Sequence, residues 1–108
     1  MIQHIVMFKF KEEANGKSKQ ENLLEAKERM LKLKDEIKQI VSLDVYFNEE
    51  QAAKDNYDYI LVSTFQTMED LNQYQVHPSH VAFGQYITPL RQSRVCIDYR
   101  IGDYKKDL

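Results

Sequence analysis

The stretch Ile2–Phe10 alternates like a β-strand, yet it is apolar on both sides. Ile2, His4, Val6, Phe8 and Phe10 form one face, and Ile5 and Met7 lie on the other. Side chains on a strand alternate between the two faces of its sheet, so such a strand needs cover from both sides. Tyr57–Phe65 repeats the pattern, with Tyr59, Leu61 and Phe65 set against Ile60 and Val62. Two strands of this kind exclude a sheet with one face open to water.

Between them the chain carries clear start and stop signals. Lys11–Gly16 is a polar connection ending in Asn15-Gly16, a turn signal. Ser18 with Glu21 is a capping box and opens a helix. Leu23, Ala26, Met30, Leu33 and Ile37 mark its buried stripe. Glu25–Arg29 and Glu28–Lys32 place opposite charges one turn apart on the outer side, so its Lys/Glu richness reads as a solvated face. Ile40–Phe47 is a second strand, Asn48–Asn56 a polar loop and Tyr57–Phe65 a third strand. Thr67 with Asp70 caps a short helix carrying Met68, Leu71 and Tyr74. A further helix is expected over Pro78–Arg91 and a last strand over Arg94–Ile101. On that strand Val95, Ile97, Tyr99 and Ile101 share one face. Gly102–Leu108 is a charged tail expected to fray or to dock on a partner.

The order is β-α-β-β-α-β with the second helix broken. It implies an α+β, ferredoxin-like antiparallel sheet with both helices on one face. Ile5, Met7, Ile60 and Val62 would then lie on the uncovered face. An exposed apolar patch of that kind marks an interface, and the simplest cover is a second copy related by a two-fold axis. A homodimer through the sheet face opposite the helices is therefore expected.

At 108 residues the chain is expected to be one domain over its full length. The single cysteine, Cys96, excludes an internal disulfide and suits a reducing compartment. It alternates with Val95 and Ile97, so it is placed on the opposite face, toward the partner, as an inert thiol. The net charge of -2 argues against a nucleic-acid surface. No apolar run reaches the length of a membrane span, and Met1–Ile5 lacks the basic start of a signal peptide. Cytoplasmic location is the default expectation.

Candidate chemistry is concentrated in Tyr74–Gly84, which holds a phenol and two of the three histidines. Pro78 disfavours helix at His77 and is well suited to the first helical position, so a helix starts there. His80 falls in its first turn, where the helix dipole favours the neutral imidazole. His80, Phe83, Ile87 and Leu90 share one helical face, directed at the sheet. Gly84, one turn on, costs about 1 kcal/mol in a helix interior and leaves space beside the ring. A neutral inward histidine with a gap next to it suggests a pocket. The blander alternative is a core histidine satisfied by a backbone carbonyl. For Tyr74 that alternative is a half-buried ring with its hydroxyl in water. His77 and His80 straddle a helix start and no carboxylate stands at a fixed spacing, so the sequence gives no metal site.

The run His4-Ile5-Val6-Met7-Phe8-Lys9-Phe10-Lys11 and the motif His77-Pro78-Ser79-His80, followed by Val81-Ala82-Phe83-Gly84, resemble the Dabb family, the stress-responsive dimeric α/β-barrel proteins. The resemblance runs essentially end to end. It implies a dimer whose two sheets form a barrel, with a pocket in each protomer between sheet and helices. In the polyketide cyclase branch it implies an acid/base pair at the positions of Tyr74 and His80. It further implies a pocket-lining histidine at His4 and apolar walls at Val6, Phe8 and Phe83. The first helix departs from that branch, with Leu23, Leu24, Ala26, Lys27 and Glu28 where the branch has several aromatics. The connection before the second strand is also longer, so substrate identity does not carry over.

Three readings follow. The first is a dimeric pocket protein for an apolar or aromatic small molecule, with or without cofactor-independent acid/base catalysis of the cyclase or lyase type. That chemistry needs neither metal nor flavin. The second is a non-catalytic, stress-related structural oligomer. The third is a cofactor-free monooxygenase, disfavoured by the histidine-proline motif.

Overall fold

The computed structural model describes residues 1–102. Strand β1 (Ile2–Phe10) leads into a two-stranded ribbon, β2 (Glu13–Ala14) and β3 (Lys17–Ser18). Helix α1 (Lys19–Glu36), strands β4 (Ser42–Phe47) and β5 (Tyr59–Phe65), and helices α2 (Met68–Val76) and α3 (Pro78–Ile87) follow. A single 3-10 turn (Thr88–Leu90) then delivers the chain to β6 (Arg91–Arg100). The four long strands form one sheet in the order β4-β5-β1-β6. Every neighbouring pair is antiparallel. This is the expected ferredoxin-like α+β arrangement.

Local signals account for the element starts. Ser18 and Glu21 form the reciprocal capping box that opens α1. The Thr67 hydroxyl accepts the Asp70 N–H at 3.1 Å and opens α2. Asn15 and Gly16 both have positive φ, 53° and 75°, the geometry of a type I′ turn, so the polar connection is itself a small hairpin. Asn22 on α1 donates to the Ala14 carbonyl at 3.2 Å and ties that hairpin down.

Several boundaries differ from the sequence expectation. β4 and β5 each begin two residues later, at Ser42 and Tyr59. α3 ends at Ile87 instead of Arg91. Pro89 has no N–H to continue the helical ladder, so the chain tightens into the 3-10 turn. The Thr88 hydroxyl takes up the Gly84 carbonyl at 2.7 Å. β6 therefore starts at Arg91, three residues early, and pairs along the whole of β1 with an irregularity between Lys9 and Phe10. Residues 103–108 of the charged tail lie outside the described residues.

The register fixes which residues share a face. Val6 stands opposite Leu61 and Cys96, and Phe8 opposite Tyr59 and Arg94, on the side the helices cover. Ile2, Val6, Phe8 and Phe10 join Leu23, Ala26, Met30 and Leu33 of α1 in one core. Buried Tyr59 donates its hydroxyl to the Ala26 carbonyl at 3.1 Å and fastens α1 to the sheet. On the other side Ile5 stands between Val62 and Ile97, and Met7 between Ile60 and Val95. Tyr46 and Tyr99 extend that apolar surface, opposite Ile60 and Gln3. No described helix is long and apolar enough to cross a membrane.

Candidate active site

The break between α2 and α3 builds the site. His77 is extended, with φ -63° and ψ 137°, as the residue before a proline should be. Its N–H closes α2 on the Tyr74 carbonyl at 3.2 Å, and its Nδ1 accepts the Ser79 N–H at 3.0 Å to open α3. His77 thus uses its backbone and its ring Nδ1 to join the two helices. The join lets the end of α2 present Tyr74 and the start of α3 present His80, their ring centroids 4.4 Å apart.

His80 is half-buried, and its Nδ1 lies 3.0 Å from the Gln75 carbonyl. A carbonyl only accepts, so Nδ1 carries the proton and Nε2 carries the lone pair. Burial lowers the His80 pKa; the Gln75 carbonyl opposes that shift, and the charges of His4, Arg94 and His77 add to it. The imidazole is therefore neutral at neutral pH, with Nε2 able to take a proton. The backbone-carbonyl bond anticipated in the blander reading is present, but it uses one nitrogen only.

Tyr74 is completely buried, not half-exposed with a wet hydroxyl. Among the described residues that hydroxyl has no hydrogen-bond partner. Burial pushes its pKa well above the ordinary tyrosine value, so it stays a hydrogen-bond donor throughout the accessible pH range. His4, on β1, is 1% exposed and meets Tyr74 edge-on at 6.1 Å between centroids. Its Nδ1 is bonded to Asp98 on β6, which stands directly opposite it in the sheet. The carboxylate fixes the imidazole against the Tyr74 ring.

His4, Val6, Phe8, Tyr74, His80, Phe83 and Gly84 all line one cavity of about 90 Å³. A Cβ added at Gly84 would meet nothing within 4 Å, so the space expected beside His80 is there. Met30, Leu61 and Ile87 complete the apolar walls, and Thr88, Arg91 and Arg94 the remainder. Thr88 and Arg94 are exposed and mark the mouth, while Val6, Phe8, Leu61 and Tyr74 form a buried floor.

Sequence reasoning missed the contribution of β6. The register turns Arg94, Cys96 and Asp98 toward the helix side, and Val95, Ile97 and Tyr99 toward the outer face. Cys96 therefore does not face the outer side of the sheet. Its Sγ lies 3.7 Å from His4 Nδ1 and 4.0 Å from Asp98 Oδ1. The donor atoms of His4, Cys96 and Asp98 all lie within 4.8 Å of one another, a grouping of metal-ligand types that linear spacing did not reveal. Burial and the Asp98 carboxylate push the Cys96 thiol up, so it remains a thiol at neutral pH. The signal that could have located these residues is the polar alternation of Arg94, Cys96 and Asp98 itself.

Residues 2–101 match the Stress responsive A/B Barrel Domain family, Dabb. The chain belongs to the Dabb family. Among curated proteins it is similar to olivetolic acid cyclase of Cannabis sativa, with 26% identity over 101 residues covering 91% of this chain and 94% of that one. Among solved structures it is similar to a dimeric ferredoxin-like protein of unknown function from Bacteroides fragilis, at 29% identity and a TM-score of 0.81. That match covers 93% of this chain and 95% of the other. The hydroxynitrile lyase of Passiflora edulis superposes with a TM-score of 0.79 over 94% of each chain, and at 16% identity it speaks for the fold alone. Within the Dabb fold, this chain places its histidine-proline motif at the junction of α2 and α3, over the centre of the sheet.

Proposed function

We propose that this Dabb protein binds a small carbonyl compound between its sheet and helices and performs cofactor-independent acid/base chemistry on it, with His80 as base and Tyr74 as donor. One observation carries the reading. A neutral His80 with a lone pair on Nε2 lies against a fully buried Tyr74 with an unpartnered hydroxyl, and both line the same cavity. His80 Nε2 removes a proton from the carbon next to the carbonyl. The electron pair moves to the carbonyl oxygen, and the Tyr74 hydroxyl donates to the developing enolate. The imidazolium then returns the proton to the intermediate or to the leaving group. His4, held by Asp98, supports the Tyr74 ring and closes the floor. The likeness to a plant cyclase supports this class of reaction.

Two copies pair through the outer sheet face in this reading, as the dimeric Bacteroides fragilis relative suggests. The pocket then belongs to each protomer, on the side away from the partner.

A second reading has its own observation. At about 90 Å³ the cavity is well below the roughly 300 Å³ at which ligand pockets usually begin. That favours a structural oligomer in which the motif only joins the helices to the sheet. A thermal-shift screen of aromatic, polyketide-like and short aliphatic carbonyl acids, on wild type and His80→Ala, separates the two. The catalytic reading expects at least one compound to stabilise the wild type and to lose its effect in the variant. Uniform behaviour across the library leaves the structural reading standing.

A further inference from the structure

The polar groups around the cavity are not balanced. Tyr74 Oη and Arg91 Nε are both buried, both without a hydrogen-bond partner among the described residues, and both on residues that line it. A buried unsatisfied donor costs on the order of 1–3 kcal/mol, and more when charged. Arg94 lines the same cavity. Arg91 and Arg94 stand opposite Phe10 and Phe8, which puts both on the helix side of the sheet. The Arg91 guanidinium lies 5.8 Å from the centre of the Phe8 ring. Among the described residues neither arginine is in an ion pair. Asp98, the acidic residue on the same face of β6, is occupied by His4. The charge of Arg94 reaches both reactive groups, opposing protonation of His80 and favouring ionisation of Tyr74. In a chain of net charge -2, two guanidiniums without an ion pair among the described residues thus flank a cavity with an apolar floor.

The floor also limits size. A dry cavity of roughly 150 Å³ admits benzene. The space here is smaller, about 90 Å³, so the ligand it takes is small.

We propose that the ligand is a compact keto acid, its carboxylate held by Arg91 and Arg94 and its carbonyl placed between Tyr74 and His80. A guanidinium presents paired donors that match a carboxylate, which a lysine would not. The ligand would satisfy the orphaned Arg91 Nε and Tyr74 hydroxyl together. This assignment rests on reading the cavity as a ligand site, and it narrows the expected apolar or aromatic ligand to a small anion.

The test is calorimetric titration of the full chain with 2-oxobutanoate, 4-oxopentanoate and their methyl esters, with inorganic phosphate as a bare anion. The expected result is that at least one acid binds about tenfold or more tightly than its ester, the fold-change of a charge-assisted hydrogen bond. Arg91→Gln and Arg94→Gln each weaken the acid and leave the ester unchanged, and Arg91→Lys retains part of the preference. Thermal melts establish that the variants fold. If Arg91→Gln fails to fold, Arg94→Gln at the exposed mouth carries the test. Equal binding of acid and ester overturns the proposal. So does an acid preference that survives the arginine substitutions, phosphate competing as well as the acids, or no binding by any probe at millimolar concentration. The outcome stays separable from the catalytic reading. Arginine-dependent binding without proton exchange on the bound acid contradicts the catalysis alone. Exchange that proceeds equally on acid and ester contradicts the anion site alone.

Discussion

His80 and Tyr74 differ in what holds them, and that difference decides what each can do. His80 spends one nitrogen on the Gln75 carbonyl and keeps the other. Tyr74 spends nothing, because its hydroxyl is buried without a partner among the described residues. A buried Tyr→Phe change usually loses a hydrogen bond and some stability. Here it removes an unsatisfied group, so Tyr74→Phe is expected to raise stability by about 1 kcal/mol, seen as a higher melting temperature without ligand. The same change should reduce turnover by about 10² to 10⁴, the usual worth of an acid/base group. A lower melting temperature would mean that the hydroxyl has a partner in solution. His77 shows the opposite economy, with its backbone N–H and its ring both engaged at the helix junction.

At the scale of elements, the broken helix is the device that brings phenol and imidazole together. Its start was legible in the sequence, because Pro78 and the caps act on their immediate neighbours. Its end was not read correctly, although Pro89 carries the same kind of local signal. Gly84 is the weak point of α3 and the open point of the pocket. Its φ is not positive and an added Cβ meets nothing within 4 Å. Gly84→Ala should therefore stabilise the helix by about 1 kcal/mol. It should also weaken ligand binding, since the methyl group enters the cavity. Melting and titration of the one variant measure both effects, and tighter binding would place the ligand elsewhere. The contribution of β6 stayed hidden for a different reason. Asp98 meets His4 across 94 positions of sequence, and only the β1–β6 register brings them together. Strand period shows that residues share a face; it does not say which residues of another strand they meet.

At the scale of the molecule, the two-sided strands did their work: helices cover one face, and the other carries Ile5, Met7, Ile60, Val62, Val95 and Ile97 in one surface. Ile97 is 60% exposed and Tyr46 57% exposed, far more than a settled core position. Pairing of two such faces is expected, with light scattering giving a dimer at micromolar concentration. Ile97→Glu places a charge on the β6 side of that surface and should shift the population to monomer without changing the helix side. A wild-type monomer under those conditions would remove the dimer from the proposal. The cavity itself remains the central matter, and its volume is set by packing that no sequence period encodes. Proton exchange tests it most directly. Wild type, His80→Ala and Tyr74→Phe are incubated with a bound keto acid in deuterated buffer, and loss of the proton next to the carbonyl is followed by NMR across pH. Since burial holds the His80 pKa below its usual value of 6.5, wild-type exchange should be flat through neutral pH. It should fall only on acidification below that value, as the base becomes protonated. It should be reduced in Tyr74→Phe and drop to the buffer rate in His80→Ala. Exchange at the same rate in wild type and His80→Ala would contradict the assignment of His80 as the base.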